Sequence, residues 1–167
     1  MTRPYIITAQ PVVTGPKAGM AKWVDLAVKH SGGSLWNNGV WQNRDVKGKP
    51  GVISNHARGL AVDLSYRYMS YPSLQKHLGR KDGRKTAMAY LTKLLENADT
   101  LAIALVIDYQ LNRSWKCDRG TWKAGQFYSG DWFHIEVDPR LADNPQATKR
   151  AFDAVFGVSP THPTQPV

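Results

Sequence analysis

A chain of 167 residues, 42% of them hydrophobic, is long enough for one sizeable core and short for two domains. Its 22 basic residues against 13 acidic ones leave a formal charge of +9, which predicts attraction to a polyanion, either nucleic acid or a cell wall carrying carboxylates and phosphate polymers. The single cysteine, Cys117, excludes an intramolecular disulfide, and no stretch is apolar for long enough to span a bilayer.

Gly15-Pro16 opens a predicted helix over Lys17–His30, with Trp23, Leu26, Ala27 and His30 at helical spacing and Ser31-Gly32-Gly33 as its stop. Leu35 to Gly51, with Trp36, Trp41 and several asparagines and glycines, reads as loop or irregular strand that walls a cleft. In Leu60–Ser65 the bulky residues Leu60, Val62 and Leu64 alternate with Ala61, Asp63 and Ser65, the pattern of a strand with one buried face. The basic stretch Lys76–Lys85 reads as an exposed loop leading into a helix over Arg84–Asn97, whose stripe is Met88, Leu91, Leu94, Leu95 and Ala98. Leu101–Ile107 is apolar throughout and is expected at the centre of a sheet. Asn112–Gly130 is expected to be a hairpin or long loop whose aromatics form a substrate wall or ordinary packing. In Trp132–Val137, Phe133, Ile135 and Val137 share one face, while Trp132, His134 and Glu136 share the other. Asn144-Pro145 caps a last helix that Gly157 stops after Phe156. Ser159–Val167 holds three prolines in nine residues and is read as a disordered tail, which leaves residues 1–158 as the domain. The fold class expected is α+β: a single domain with a small, mainly antiparallel sheet flanked by helices.

Two short motifs carry the chemistry. Ser54-Asn55-His56-Ala57-Arg58-Gly59-Leu60-Ala61-Val62-Asp63 sets a histidine and a carboxylate around a glycine, and Asp131-Trp132-Phe133-His134 adds a second histidine. Two neutral imidazoles and one carboxylate can hold a tetrahedral Zn²⁺ and leave a fourth position for water, which is the arrangement of a hydrolase. Gly59 permits the turn that brings His56 back beside Asp63. A bend at Gly130 would swing Asp131 toward the water as a general base, with Glu136 as its rival or as a group that orients His134. His30, His77 and His162 lack such support and stay outside the site. Asp108 and Asp138 read as turn or strand-end carboxylates.

Ser-x-His-x-x-Gly-x-Ala-x-Asp, followed by an acidic residue, two aromatics and His, resembles the M15 peptidases. These are zinc-dependent D-alanyl-D-alanine carboxypeptidases and dipeptidases, and the L-alanyl-D-glutamate endopeptidases of phage endolysins. Ser54, His56, Gly59, Ala61 and Asp63 meet every fixed position of the first motif, and the resemblance spans about Gly39 to Asp138. It implies that His56, Asp63 and His134 bind zinc, that Asp131 is the base, and that the substrate is a peptidoglycan stem peptide. Family members also carry an upstream arginine on substrate carboxylate or carbonyl groups, often in a Tyr-Arg setting. The candidate here is Arg44, in the departing context Trp41-Gln42-Asn43-Arg44-Asp45, where it would stabilise the oxyanion or bind a carboxylate; Arg58, inside the motif, is the second candidate.

The amino terminus is too broken by polar residues for a signal peptide, so the resemblance implies cytoplasmic synthesis with access to the wall through holin-type release or from a virion. A monomer without specific nucleic-acid recognition is expected. Alternatives are an exopeptidase with the same metal set, a non-catalytic basic protein that binds wall or nucleic acid, and a structural zinc protein, which would need more cysteine than Cys117.

Overall fold

The structure is a computed structural model that describes residues 2–71 and 76–157. After a 3-10 turn at Ile7–Ala9 come α1 (Ala18–His30), β1 (Trp36–Gly39), β2 (Asp45–Val46), β3 (Lys49–Ile53), β4 (Ala61–Ser65), β5 (Met69–Tyr71) and β6 (Lys76–Leu78). They are followed by α2 (Gly83–Glu96), β7 (Ile103–Asp108), β8 (Arg113–Lys116), β9 (Trp122–Ala124), β10 (Trp132–Val137), α3 (Pro139–Ala142) and α4 (Pro145–Phe156). Six strands form one sheet in the order β1-β4-β10-β7-β8-β9, every neighbouring pair antiparallel, and β2-β3 and β5-β6 are separate hairpins. The expected α+β class is the one observed.

Periodicity decides what each face of the sheet does. Phe133, Ile135 and Val137 of β10, Val62 and Leu64 of β4, and Ala104 and Val106 of β7 all point into one buried core. Onto this core pack Met20, Trp23, Val24 and Ala27 of α1, Ala87, Leu91 and Leu94 of α2, and Phe152 of α4. Removing such apolar surface from water is the main driving force, at roughly 1.5–3 kcal/mol per large side chain. α1 and α4 lock together through the edge-on contact of Trp23 with Phe152, at 5.5 Å, and His30 stacks on Phe156 at 4.9 Å, a packing role that accounts for this histidine. Gly19 is required here, since a Cβ would run into the carbonyls of Leu141 and Ala142. Asn144 caps α4 as expected, its side chain accepting from Ala147 N at 2.9 Å.

One expectation about the fold is corrected. The basic stretch before α2 is partly strand, because β6 pairs with β5, and His77 there bonds Tyr68 at 2.8 Å. Asp108 is a strand-end carboxylate as expected, closing β7, and it is fully buried, held by Arg84 at 2.7 Å and Arg113 at 3.2 Å. The charge of a buried carboxylate needs such partners, and two guanidiniums supply them. Asp138, just past β10, caps α3 by accepting from Arg140 N. The tail read as disordered, with His162, lies outside the described residues. Among the described residues, no helix is long and apolar enough to cross a membrane.

Candidate metal centre

The second face of the sheet is the floor of the site. Antiparallel pairing sets His134 of β10 directly opposite Asp63 of β4, so both side chains rise from the same face at neighbouring positions. His56 arrives from the turn between β3 and β4. There Gly59 N donates to His56 O at 2.9 Å, and Gly59 takes φ 67°, the left-handed conformation that lets the chain reverse into β4. Three atoms converge: His56 Nε2 and His134 Nδ1 lie 3.2 Å apart, and Asp63 Oδ1 lies 3.4 Å from the first and 3.1 Å from the second.

That triangle fits a metal. Ligands about 2.0–2.1 Å from a tetrahedral Zn²⁺ stand about 3.3 Å from one another, so the three atoms already form one face of the tetrahedron. The remaining ring nitrogens are also committed. His56 Nδ1 lies 3.3 Å from Val40 O, which can only accept, so the proton sits on Nδ1 and the lone pair of Nε2 faces inward. His134 Nε2 lies 3.0 Å from Glu136 Oε1, and Glu136 accepts in turn from Asn55 at 2.7 Å and from Tyr5 at 2.6 Å. Glu136 therefore orients His134 from behind, the usual use of a carboxylate on a ligating histidine. His56, Asp63 and His134 can hold a metal ion.

Electrostatics make the triad of the apoprotein a proton store. Burial works against charge on His134, but hydrogen bonds to Asp63 and Glu136 outweigh it and hold its pKa up at about 9. Burial likewise opposes the charge of Asp63, yet the hydrogen bond from His134 keeps that carboxyl far below the usual range. At neutral pH His134 of the apoprotein is thus an imidazolium, and a cation must displace its Nδ1 proton. Because the pKa is raised, protonation competes at every pH below about 9. The affinity of this group for a divalent cation should therefore climb by about tenfold per pH unit between pH 6 and 8. Competition titrations with a chromophoric chelator check this, and a flat profile would show that His134 is neutral before metal arrives.

The centre opens into a cavity of about 640 Å³, a size that suits a peptide segment rather than a bare ion. Leu105 and Ile107 of β7 line it with His134, as do Val46–Lys49 of the β2–β3 hairpin and Gln126–Tyr128. Lys47 Nζ sits 4.5 Å above the Tyr128 ring. Arg44 lines this cavity, and its buried Nε has no hydrogen-bond partner. Arg58 does not line it. Its guanidinium donates to Gln10 O and to Asn55 Oδ1, which occupies the second candidate clamp with internal contacts.

Asp131 is not brought to the triad in this conformation. Its carboxylate turns to Arg67, which donates from Nε at 2.5 Å and from Nη2 at 2.6 Å. Arg67 holds the carboxyl below the usual carboxylate range, although partial burial opposes this. The backbone of Asp131 is pinned as well, its carbonyl accepting from Tyr66 N at 3.2 Å and Ser65 Oγ at 3.0 Å. The expected swing at Gly130 is overridden by these bonds.

Tyr5, Asn55 and Tyr109 join the site although neither motif singles them out. Tyr109 continues the alternation Leu105, Ile107, and that periodicity is the signal that points to it. Tyr5 is 131 residues from the Glu136 it touches, and nothing local announces it. No protein-family profile, curated protein or solved structure significantly matches the chain.

Proposed function

We propose that the protein is a zinc-dependent peptidase that hydrolyses a peptide bond in peptidoglycan stem peptides, acting at the cell wall in the manner of a phage endolysin. The observation that carries this reading is the triangle of His56 Nε2, Asp63 Oδ1 and His134 Nδ1 at one end of a peptide-sized cavity. A nitrogen-rich, cysteine-free set of three with a position left over suits catalytic rather than structural zinc. When bound there, zinc polarises a scissile carbonyl and brings the pKa of a water toward neutrality, to about 7.

The chain's own residues supply the rest. Arg44 is the clamp for a substrate carboxylate, since it lines the cavity and no hydrogen bond or ion pair to a described residue commits its guanidinium. Asp131 is the base that takes the proton of the attacking water and returns it to the leaving amine. That role requires its bond to Arg67 to open when substrate fills the cavity. Both side chains are well exposed, 36% and 47%, and such surface pairs cost only about 0–1 kcal/mol to break. Glu136 is unsuited to the task because both its oxygens are engaged.

Arg44 at the cavity wall also suits an exopeptidase of the D-alanyl-D-alanine type, in which it would hold the terminal carboxylate. Mass analysis of muropeptides released from purified walls separates the two. At physiological salt, release of peptides should persist and stop on addition of a chelator, because the chemistry is local. Affinity for DNA should fall steeply over the same range, as expected of a +9 surface without base-reading elements. Intact walls together with tight, sequence-selective DNA binding would overturn the reading in favour of a nucleic-acid-binding protein.

A further inference from the structure

Hydrolysis of a peptide bond places negative charge on the carbonyl oxygen as water adds, and an active site gains most from a fixed hydrogen-bond donor at that point. Arg44, as a carboxylate clamp, is committed to the substrate's ground state. Among the remaining side chains that border the cavity, Tyr109 stands out. It follows β7 directly and shares the cavity face with Ile107, which pairs with His134 across the β7–β10 ladder. Its ring is wedged between Trp132, at 5.2 Å, and Phe127, at 6.1 Å and nearly perpendicular. Two aromatic contacts of this kind fix a ring without using its hydroxyl.

The hydroxyl is the unusual part. The phenols of Tyr5 and Tyr66 are consumed by Glu136 and Gln110, whereas that of Tyr109 makes no hydrogen bond among the described residues. It is nonetheless close enough to the centre for the charges of Asp63, Arg44 and Glu136 to act on it. We propose that Tyr109 is a catalytic residue of this site, whose hydroxyl donates a hydrogen bond to the carbonyl oxygen of the scissile peptide as that oxygen becomes an oxyanion. Tyr109 keeps its proton throughout, so no further acid or base is needed. Burial, reinforced by the nearby Asp63 charge, pushes the phenol up to about 12, so it remains a donor across the neutral range.

This inference rests on the hydrolase reading above, and one experiment separates the two. Zinc-loaded wild-type protein and Tyr109→Phe are compared on a soluble disaccharide-pentapeptide, with zinc content and thermal midpoint measured for both. Phenylalanine retains the ring and its packing, so fold and metal should be unchanged. Loss of a donor used only in the transition state should lower kcat by about a hundred- to a thousandfold and leave KM within about twofold. An active wild type with an equally active variant, or a loss confined to KM or to zinc content, removes Tyr109 from catalysis and leaves the hydrolase reading standing. A wild type inert toward both this substrate and purified walls removes both.

Discussion

Replacing His134 by alanine should abolish zinc binding and all zinc-dependent activity while the protein still folds. Three ligands would hold the ion in the proposed centre, and removal of one would leave His56 and Asp63 with two open positions. The Nδ1 that is lost lies 3.2 Å from His56 Nε2 and 3.1 Å from Asp63 Oδ1, so its loss takes away one corner of the ligand triangle. The fold has less at stake. His134 rises from the face opposite Phe133 and Ile135, and truncation opens the cavity rather than the core. Without metal, the variant also loses an imidazolium that bridges Asp63 and Glu136, and this should lower the thermal midpoint of the apoprotein near neutral pH. Metal analysis after dialysis against zinc measures the effect directly: about one zinc per chain in the wild type and none in the variant is expected. Full occupancy in His134→Ala would remove the centre from consideration.

The second large effect distinguishes Asp131, just before β10, from Glu136 within it. Asp131→Asn should keep zinc and fold but lose at least about a hundredfold in kcat, the usual consequence of removing a general base. Glu136→Gln should act through the metal instead. An amide keeps the shape yet weakens the charge-assisted bond to His134 Nε2, and zinc affinity should fall by about 10- to 100-fold, with turnover restored by excess zinc. The pairing with Arg67 adds a further readout. Arg67→Gln should release the Asp131 carboxylate, so the variant's activity should equal or exceed that of the wild type if Asp131 is the base. An active Asp131→Asn, with Glu136→Gln dead at saturating zinc, would transfer the base to Glu136.

Much of this architecture is legible in the chain because local pattern and tertiary need coincide. The spacing of Trp23, Leu26 and Ala27 places α1 to within one residue, and Asn144-Pro145 at one end and Gly157 at the other bound α4. β4 and β10 follow from strict alternation, which also sets His134 and Asp63 on the face away from the core. The short hairpins are less visible. Lys76–Leu78 lies in a run of charge, and its strand character comes from pairing with Met69–Tyr71 rather than from its own side chains. The direction of Asp131 escapes local pattern because its carboxylate is claimed by Arg67, 64 residues away in sequence, a contact without periodicity. The same holds for Arg58, which faces Gln10 O rather than the cavity.

The two faces of β10 impose incompatible demands, and the consequence reaches beyond chemistry. Shifting this strand by a single residue against β4 would turn His134 into the apolar interior and present Phe133 or Ile135 to Asp63. In any such slipped pairing the three ligand atoms cannot meet. A bound cation therefore stabilises only the native alignment, and the free energy of binding goes entirely to that one pairing out of those the backbone would otherwise tolerate. An ion held there would serve as a pin through two strands, one that proofreads the register of the sheet.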